Sequence, residues 1–249
     1  MQKMADGVGK DDIVADVGTD HGYIPIWLIQ NEACRDVILA DINSGPLEKA
    51  RVNIAKYIPD RSFDLRQGSG ISVLKQAEAD TIIIAGMGGI LIRDILSDDL
   101  EKTKSFSKFI LQPRNHSDVL RRWIGEIPWL SVTDESLAKE AGKLCEIITV
   151  ENSRCAKEIG EREAEGREVQ RLQKELDISE QMVREIPLQY FIGKKLYAHE
   201  FLQNKIKIEQ AISRRIVQNG ITDSSKRRLE ESQASLEELK RISSYFYER

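Results

Sequence analysis

The chain has 249 residues, enough for one large domain, or one medium domain with an appendage, and for a sizeable core. It is 41% hydrophobic and 31% charged, which excludes a collagen-like or wholly disordered chain. A net charge of −4 excludes the chain-wide basic field that marks many nucleic-acid binders.

The apolar runs are short. Even the run at 81–85 cannot span a bilayer, and no charged-then-apolar pattern opens the chain, so no membrane partner is expected. Cys34, Cys145 and Cys155 form no C-x-x-C pair and no disulfide framework. They read as packing residues of a protein in a reducing cytoplasm.

In chain order, strands are predicted over 13–17, 37–42, 63–66, 81–85, 109–112, 130–133 and 145–150. Several are continuously apolar, as strands buried on both faces of a parallel sheet must be. Helices are predicted over 25–30, 46–57, 90–96 and 118–127, with Pro25 and Pro46 in first-turn positions where a missing N–H costs nothing. This alternation predicts a doubly wound α/β domain. Only the polar stretch 135–143, with Gly142, separates the last two strands. It is too short for a helical crossover and predicts an antiparallel hairpin.

After residue 152 the pattern turns helical and charged. Val169, Leu172, Leu176, Val183 and Ile186 recur at helical spacing, as do Leu229, Leu236, Leu239, Ile242 and Phe246. A break is expected at 186–193, a stop at Asn219-Gly220 and a cap at Thr222-Asp223-Ser224. Two to three long helices folded into an antiparallel coiled coil are expected, with the domains divided as 1–152 and 153–249.

Five loops carry the polar and glycine-rich residues, and all belong on the carboxyl edge, where doubly wound sheets bind ligands. The first reads Asp16-Val17-Gly18-Thr19-Asp20-His21-Gly22-Tyr23. A dinucleotide turn places a glycine where Asp20 stands. A carboxylate there repels pyrophosphate and favours a cationic or hydrogen-bond-donating ligand. S-adenosylmethionine fits: it carries a sulfonium, an ammonium and a ribose diol, and no phosphate. Asp16 sits at the same edge, placed for the ammonium. The second loop is Asp41-Ile42-Asn43, an acid roughly 20 residues beyond the glycine turn, where ribose hydroxyls are bound. The third is Gln67-Gly68-Ser69-Gly70, the fourth Ala85-Gly86-Met87-Gly88-Gly89 and the fifth Gln112-Pro113-Arg114-Asn115-His116.

Each feature alone has a plainer reading. The glycine turn can be a turn, Asp20-His21 a helix cap, Asp41 another cap, and the run 86–89 a close packing point. Gln112 and Asn115 can simply satisfy loop backbone, His116 can start a helix and His199 can lie in a helix seam. The joint pattern on one edge favours catalysis.

These five loops together resemble the bacterial tRNA (adenine(22)-N(1))-methyltransferase family, TrmK, over residues 1 to about 150. The resemblance implies a Rossmann-like class I methyltransferase domain, its mostly parallel sheet ending in a hairpin, followed by a helical coiled-coil domain. It implies S-adenosylmethionine as cofactor, tRNA as partner, and no metal. Asp16, Gly18, Thr19, Asp20 and His21 would hold the methionine end. Asp41, Ile42 and Asn43 would take the ribose. Gln67, Gly68, Ser69, Gly70, Ala85, Gly86, Met87, Gly88 and Gly89 would frame adenine and sulfonium. His21, Tyr23, Gln112, Pro113 and Asn115 would face the incoming adenosine. Asp20 and carbonyls near Gly86 would stabilise the developing positive charge, Gln112 and Asn115 would orient the base, and His21 would relay a later N6 proton.

The chain departs from that family in three places. Eight residues precede Gly9, where many members have a longer helix. Ser69 stands where many carry an acid. Arg114 separates Pro113 from Asn115.

For RNA, Arg114, Arg121 and Arg122 lie beside the active edge, and Lys194-Lys195, Arg214-Arg215 and Arg227-Arg228 dot the tail. Solvated helix faces are the competing reading of the tail pairs. A monomer is expected. A small-molecule methyltransferase, a nicotinamide dehydrogenase and a non-catalytic scaffold remain as alternatives; Asp20 disfavours the dehydrogenase.

Overall fold

The computed structural model describes residues 1–152, 160–192 and 196–248. Lys194, Lys195 and Cys155 lie outside the described residues. Two compact units emerge, one of Met1–Ala138 with Cys145–Lys157, the other of Lys139–Leu144 with Glu158–Arg249.

The first unit opens with a short helix, α1 (Gln2–Ala5), too brief to leave a periodic signal in the sequence. There follow β1 (Ile13–Val17), α2 (Tyr23–Gln30), β2 (Asp36–Asp41), α3 (Ser44–Tyr57) and β3 (Asp64–Gln67). A 3₁₀ turn over Gly70–Val73 leads to β4 (Thr81–Met87), α4 (Gly89–Ser97), α5 (Leu100–Thr103), β5 (Lys108–Pro113) and α6 (Ser117–Glu126). The long strands β6 (Leu130–Glu140) and β7 (Lys143–Asn152) close the unit. All seven form one sheet of order β3-β2-β1-β4-β5-β7-β6. β1 to β5 are parallel, and β7 runs antiparallel to β5. This is the predicted doubly wound sheet with its terminal hairpin.

Alternate residues of β1, β2, β4 and β5 feed two separate cores, as the period-two geometry of a strand requires. Val14, Leu39, Ile83 and Ile110 pack with Ile26 and Leu28 of α2, Ala50 and Ile54 of α3, and Met4 and Ala5 of α1. Ala15, Ile38, Ile84 and Leu111 pack with Ile92 and Leu96 of α4 and Leu120 and Ile124 of α6. The central strands β1, β2, β4 and β5 are largely hidden from water, which is why they read as apolar runs.

The hairpin differs from expectation in length. The stretch 135–143 is mostly strand, and only Ala141-Gly142 turn, both with positive φ, as a two-residue hairpin loop demands. Its Glu135 and Leu137 are buried, at 3% and 2% exposure.

The second unit holds α7 (Gly160–Glu175), α8 (Glu180–Glu185), α9 (Gln189–Ile192), α10 (Ala198–Gln218) and α11 (Asp223–Tyr247). Ile186 ends α8, and the expected break carries the short α9. α10 and α11 pack on each other. Thr222 caps α11, its hydroxyl taking the Ser225 N–H while Ser225 takes the Thr222 N–H. Ser232 of α11 is fully buried and donates to the Glu209 carboxylate at 2.6 Å. Leu172, Leu176, Ile186, Leu229, Leu239 and Ile242 of the predicted seams are buried. No described helix is long and apolar enough to cross a membrane.

Candidate active site

The parallel strands end level with one another: Val17 lies opposite Ala40 and Ile84, Asp41 opposite Gln67, and Ala85 opposite Gln112. The five loops singled out above therefore share one edge. Leaving β1, the amides of Gly18 and Thr19 both donate to the Ala40 carbonyl, at 2.8 and 3.1 Å, which wraps the chain across the end of β2.

Asp16 is 5% exposed. Burial pushes its carboxyl up to about 6; the side chain of Thr19 opposes that rise and the nearby Asp41 adds to it. The Thr19 hydroxyl is itself buried and lacks a well-aligned hydrogen-bond partner. An acid this buried, with the Thr19 hydroxyl beside it and Asp41 nearby, sits where a ligand's cation would offset its burial.

Because folding raises the Asp16 pKa, the protonated form is the one the fold prefers. Its contribution to stability is complete below about pH 4 and lost as pH rises through about 6, roughly 3 kcal/mol in all for a shift of about two units. Asp16→Asn should therefore melt several degrees above the parent at pH 8, and the advantage should shrink to about a third of that at pH 4.5. Thermal melts at the two pH values check this.

Asp41, at the end of β2, accepts the Asn43 N–H through Oδ1 at 2.8 Å, and Asn43 itself starts α3. Gly68 donates to the Asp41 carbonyl at 2.9 Å, and the Gln67 side chain donates to the Ile42 carbonyl at 3.3 Å, so the third loop is tied to the second. Ile42 is 61% exposed, an uncovered apolar side chain beside the acid. Ser69 is exposed, and its carbonyl takes the Ser72 N–H and hydroxyl.

Asp20 is not a helix cap. α2 starts behind Gly22 without any side-chain cap, and the Asp20 carboxylate instead bridges Lys49 Nζ at 3.3 Å and His21 Nε2 at 3.0 Å. The His21 ring stacks on Tyr23, centroids 5.4 Å apart and planes within 16°, and Asn53 holds the His21 carbonyl at 2.9 Å. Lys49 and Asn53 escaped the sequence reading because they sit two turns into α3 with nothing local to mark them.

The fourth and fifth loops are knitted together. β4 bulges at Gly86, where the register against β5 shifts between Ala85 and Met87. Gly86 takes φ +80°, a conformation that suits glycine. Gln112 Oε1 accepts the Gly86 N–H at 2.8 Å, and Arg114 Nε donates to the Gly86 carbonyl at 3.0 Å. Beyond the bulge, Arg114 N–H reaches the Met87 carbonyl and Gly89 N–H the Asn115 carbonyl, both at 2.8 Å. Asn115 is exposed, with Oδ1 lying over Gly88. His116 starts α6, as expected, in a left-handed conformation.

Several expectations need correction. The Gly86 carbonyl, expected to face developing positive charge, already holds a guanidinium. The Gln112 amide oxygen, expected at the base, holds the Gly86 N–H. Arg121, expected to meet phosphate, is buried and pairs at 2.6 Å with both Glu135 and Glu146. Ser117 also donates to Glu146, at 2.8 Å. In the tail, Arg227 pairs with Glu231 and Arg228 with Glu209 and Glu231, as solvated faces do. Arg214 and Arg215 are exposed on α10 with no ion-pair partner among the described residues, and Arg122 is exposed on α6.

Comparison with known proteins adds the following. The family described as "Methyltransferase domain" matches residues 1–148. The tRNA (adenine(22)-N(1))-methyltransferase of Bacillus subtilis (strain 168) is 34% identical over 151 residues, 61% of this chain and 63% of that one. The matched region thus spans under two thirds of that relative's length. The crystal structure of the B. subtilis M1A22 tRNA methyltransferase TrmK superposes with a TM-score of 0.76 at 28% identity, covering 97% of this chain and 96% of that one. M. capricolum TrmK, solved with its natural cofactor product S-adenosylhomocysteine, gives 0.67 at 21% identity, covering 98% and 95%. At that identity the likeness is one of fold. The resemblance read from the five loops is borne out by these relatives.

Proposed function

The chain belongs to the methyltransferase-domain family, and we propose that it transfers the methyl group of S-adenosylmethionine to N1 of adenosine 22 in the tRNA D-arm. The observation that carries this reading is the set of carboxylates Asp16, Asp20 and Asp41 around the glycine turn, at the place where a dinucleotide site receives phosphate. They suit a ligand with an ammonium, a sulfonium and a diol.

The residues fit that cofactor. Asp16 and the neighbouring buried Thr19 hydroxyl would receive its ammonium end. Asp41 keeps Oδ2 for the ribose hydroxyls while Oδ1 holds the Asn43 N–H. Ile42 and the 67–70 loop flank the adenine. When bound, the cofactor supplies an electrophilic methyl on sulfur.

Adenine N1 has a free lone pair at neutral pH, so its attack needs no prior deprotonation. The methyl–sulfur bond breaks as the methyl–nitrogen bond forms, and positive charge passes to the base. Asp20, shared with Lys49, favours that charge. The His21–Tyr23 stack offers a face for the extruded base, and Asn115 offers an amide at its edge. Positioning of this kind is worth about 7–11 kcal/mol when the reacting atoms are held near attack geometry. Extruding the base costs a few kcal/mol. Among the described residues, the exposed Arg122, Arg214 and Arg215 would meet phosphate. The protein acts as a monomer in the cytoplasm, its α10 face covered by its own α11.

Transfer of labelled methyl to unmodified tRNA, beside a transcript with guanosine at position 22, tests this. Incorporation into the first alone is expected; incorporation into neither removes the reading. Cofactor affinity should be highest near pH 7 and fall up to tenfold per unit below about pH 6, as Asp16 takes up its proton and loses the ammonium. Calorimetry between pH 5 and 8 checks this. The R214A/R215A variant should lower the slope of log affinity against log salt by roughly 1.4–1.8. An unchanged slope would remove these two arginines from the interface.

A further inference from the structure

The bulge at Gly86 takes a backbone N–H and C=O out of the ladder, where each needs another partner. Both partners are side chains from the end of the neighbouring strand, Gln112 for the N–H and Arg114 for the C=O. An N–H can only donate, so the Gln112 atom that meets it is the carbonyl oxygen, and the other end of the amide carries only hydrogens. Gln112 is 6% exposed, which suits a support better than a surface for an incoming base.

We infer that Gln112 and Arg114 are positioning residues, which hold the Gly86 bulge and through it the 86–89 loop. They act through this backbone, not on the adenosine or on RNA phosphate. The inference assigns each a job set by chemistry: Gln112 supplies an acceptor and Arg114 a donor. Its link to the cofactor rests on the methyltransferase reading; the clamp itself does not.

Hydrogen exchange at amides 86–89 and calorimetric affinity for S-adenosylhomocysteine, in Q112L, Q112E, R114A and R114K, test it. Q112L and R114A should exchange the Gly86 amide at least tenfold faster and bind at least tenfold more weakly. Q112E should recover most of both losses, because its carboxyl keeps an acceptor in either protonation state. R114K should recover part. Should Q112L fail to fold, Q112N, one methylene short of Gly86, takes its place. A Q112E as poor as Q112L overturns the inference. So does a Q112L with parental exchange and affinity but slow methyl transfer, which would put the amide on the base. If the parent protein itself binds no S-adenosylhomocysteine, the methyltransferase reading falls, and exchange at Gly86 still decides the clamp.

Discussion

Gly89→Ala is expected to destabilise the protein by about 3 kcal/mol, a strong instance of overpacking. The added Cβ would lie 2.3 Å from the His116 carbonyl oxygen and 2.9 Å from that of Asn115. Both are backbone atoms and cannot swing aside. Separating the loops would also break the Gly89–Asn115 hydrogen bond, worth about 1 kcal/mol. At about 2–4 °C per kcal/mol for a chain of this size, the melting temperature should fall by roughly 6–12 °C. Gly125→Ala is the control: nothing lies within 4 Å of its Cβ, and it sits in α6, where alanine is the better helix former. A parental melting temperature for Gly89→Ala would mean that the fourth and fifth loops do not meet as described.

The second large effect is expected at Arg121. Arg121→Ala removes the guanidinium that pairs with both the buried Glu135 and the largely covered Glu146. Breaking such a group from one side costs about 3–5 kcal/mol. Arg121→Met should cost nearly as much, since the alkyl volume returns but the charge does not. Adding Glu135→Gln and Glu146→Gln to Arg121→Met should recover much of the loss, because neutral amides tolerate burial better than unpaired acids. Urea melts of the three proteins measure this. A single Arg121→Ala variant as stable as the parent would return this residue to the surface and to the RNA.

Arg121 also shows where sequence reasoning stops. On its helix it was one more basic residue beside the active edge, and its partners lie 14 and 25 residues away on other strands. The same pairing hid the length of β6. Glu135 made 135–143 look like a polar link, although its charge is neutralised in the interior. β1, β2, β4 and β5 were legible because burial on both faces leaves mostly apolar residues, and the edge they share followed from the order of strands and helices. The loops were legible as a set, since an acid in the glycine turn is chemically pointed. What each side chain does there was less so. A bulge changes which residues face each other without changing their spacing in the chain, so Gln112 and Arg114 gave no sign of their attachment to Gly86.

The strand order has a consequence for the protein as it is being made. β1 lies at the centre of the sheet, yet the strand on its second side, β4, starts only at Thr81. During synthesis at about 5–20 residues per second, that hydrogen-bonding edge stays open for about 1–4 seconds after β1, β2 and β3 have left the ribosome. Val14, Ala15 and Val17 then form an apolar strand with an unsatisfied side, the kind of template on which chains pair with their neighbours. Codon choices that slow elongation between β3 and β4 should prolong this exposure and lower the yield of soluble protein. Slowing placed after β5, when both sides of β1 are covered, should do so far less.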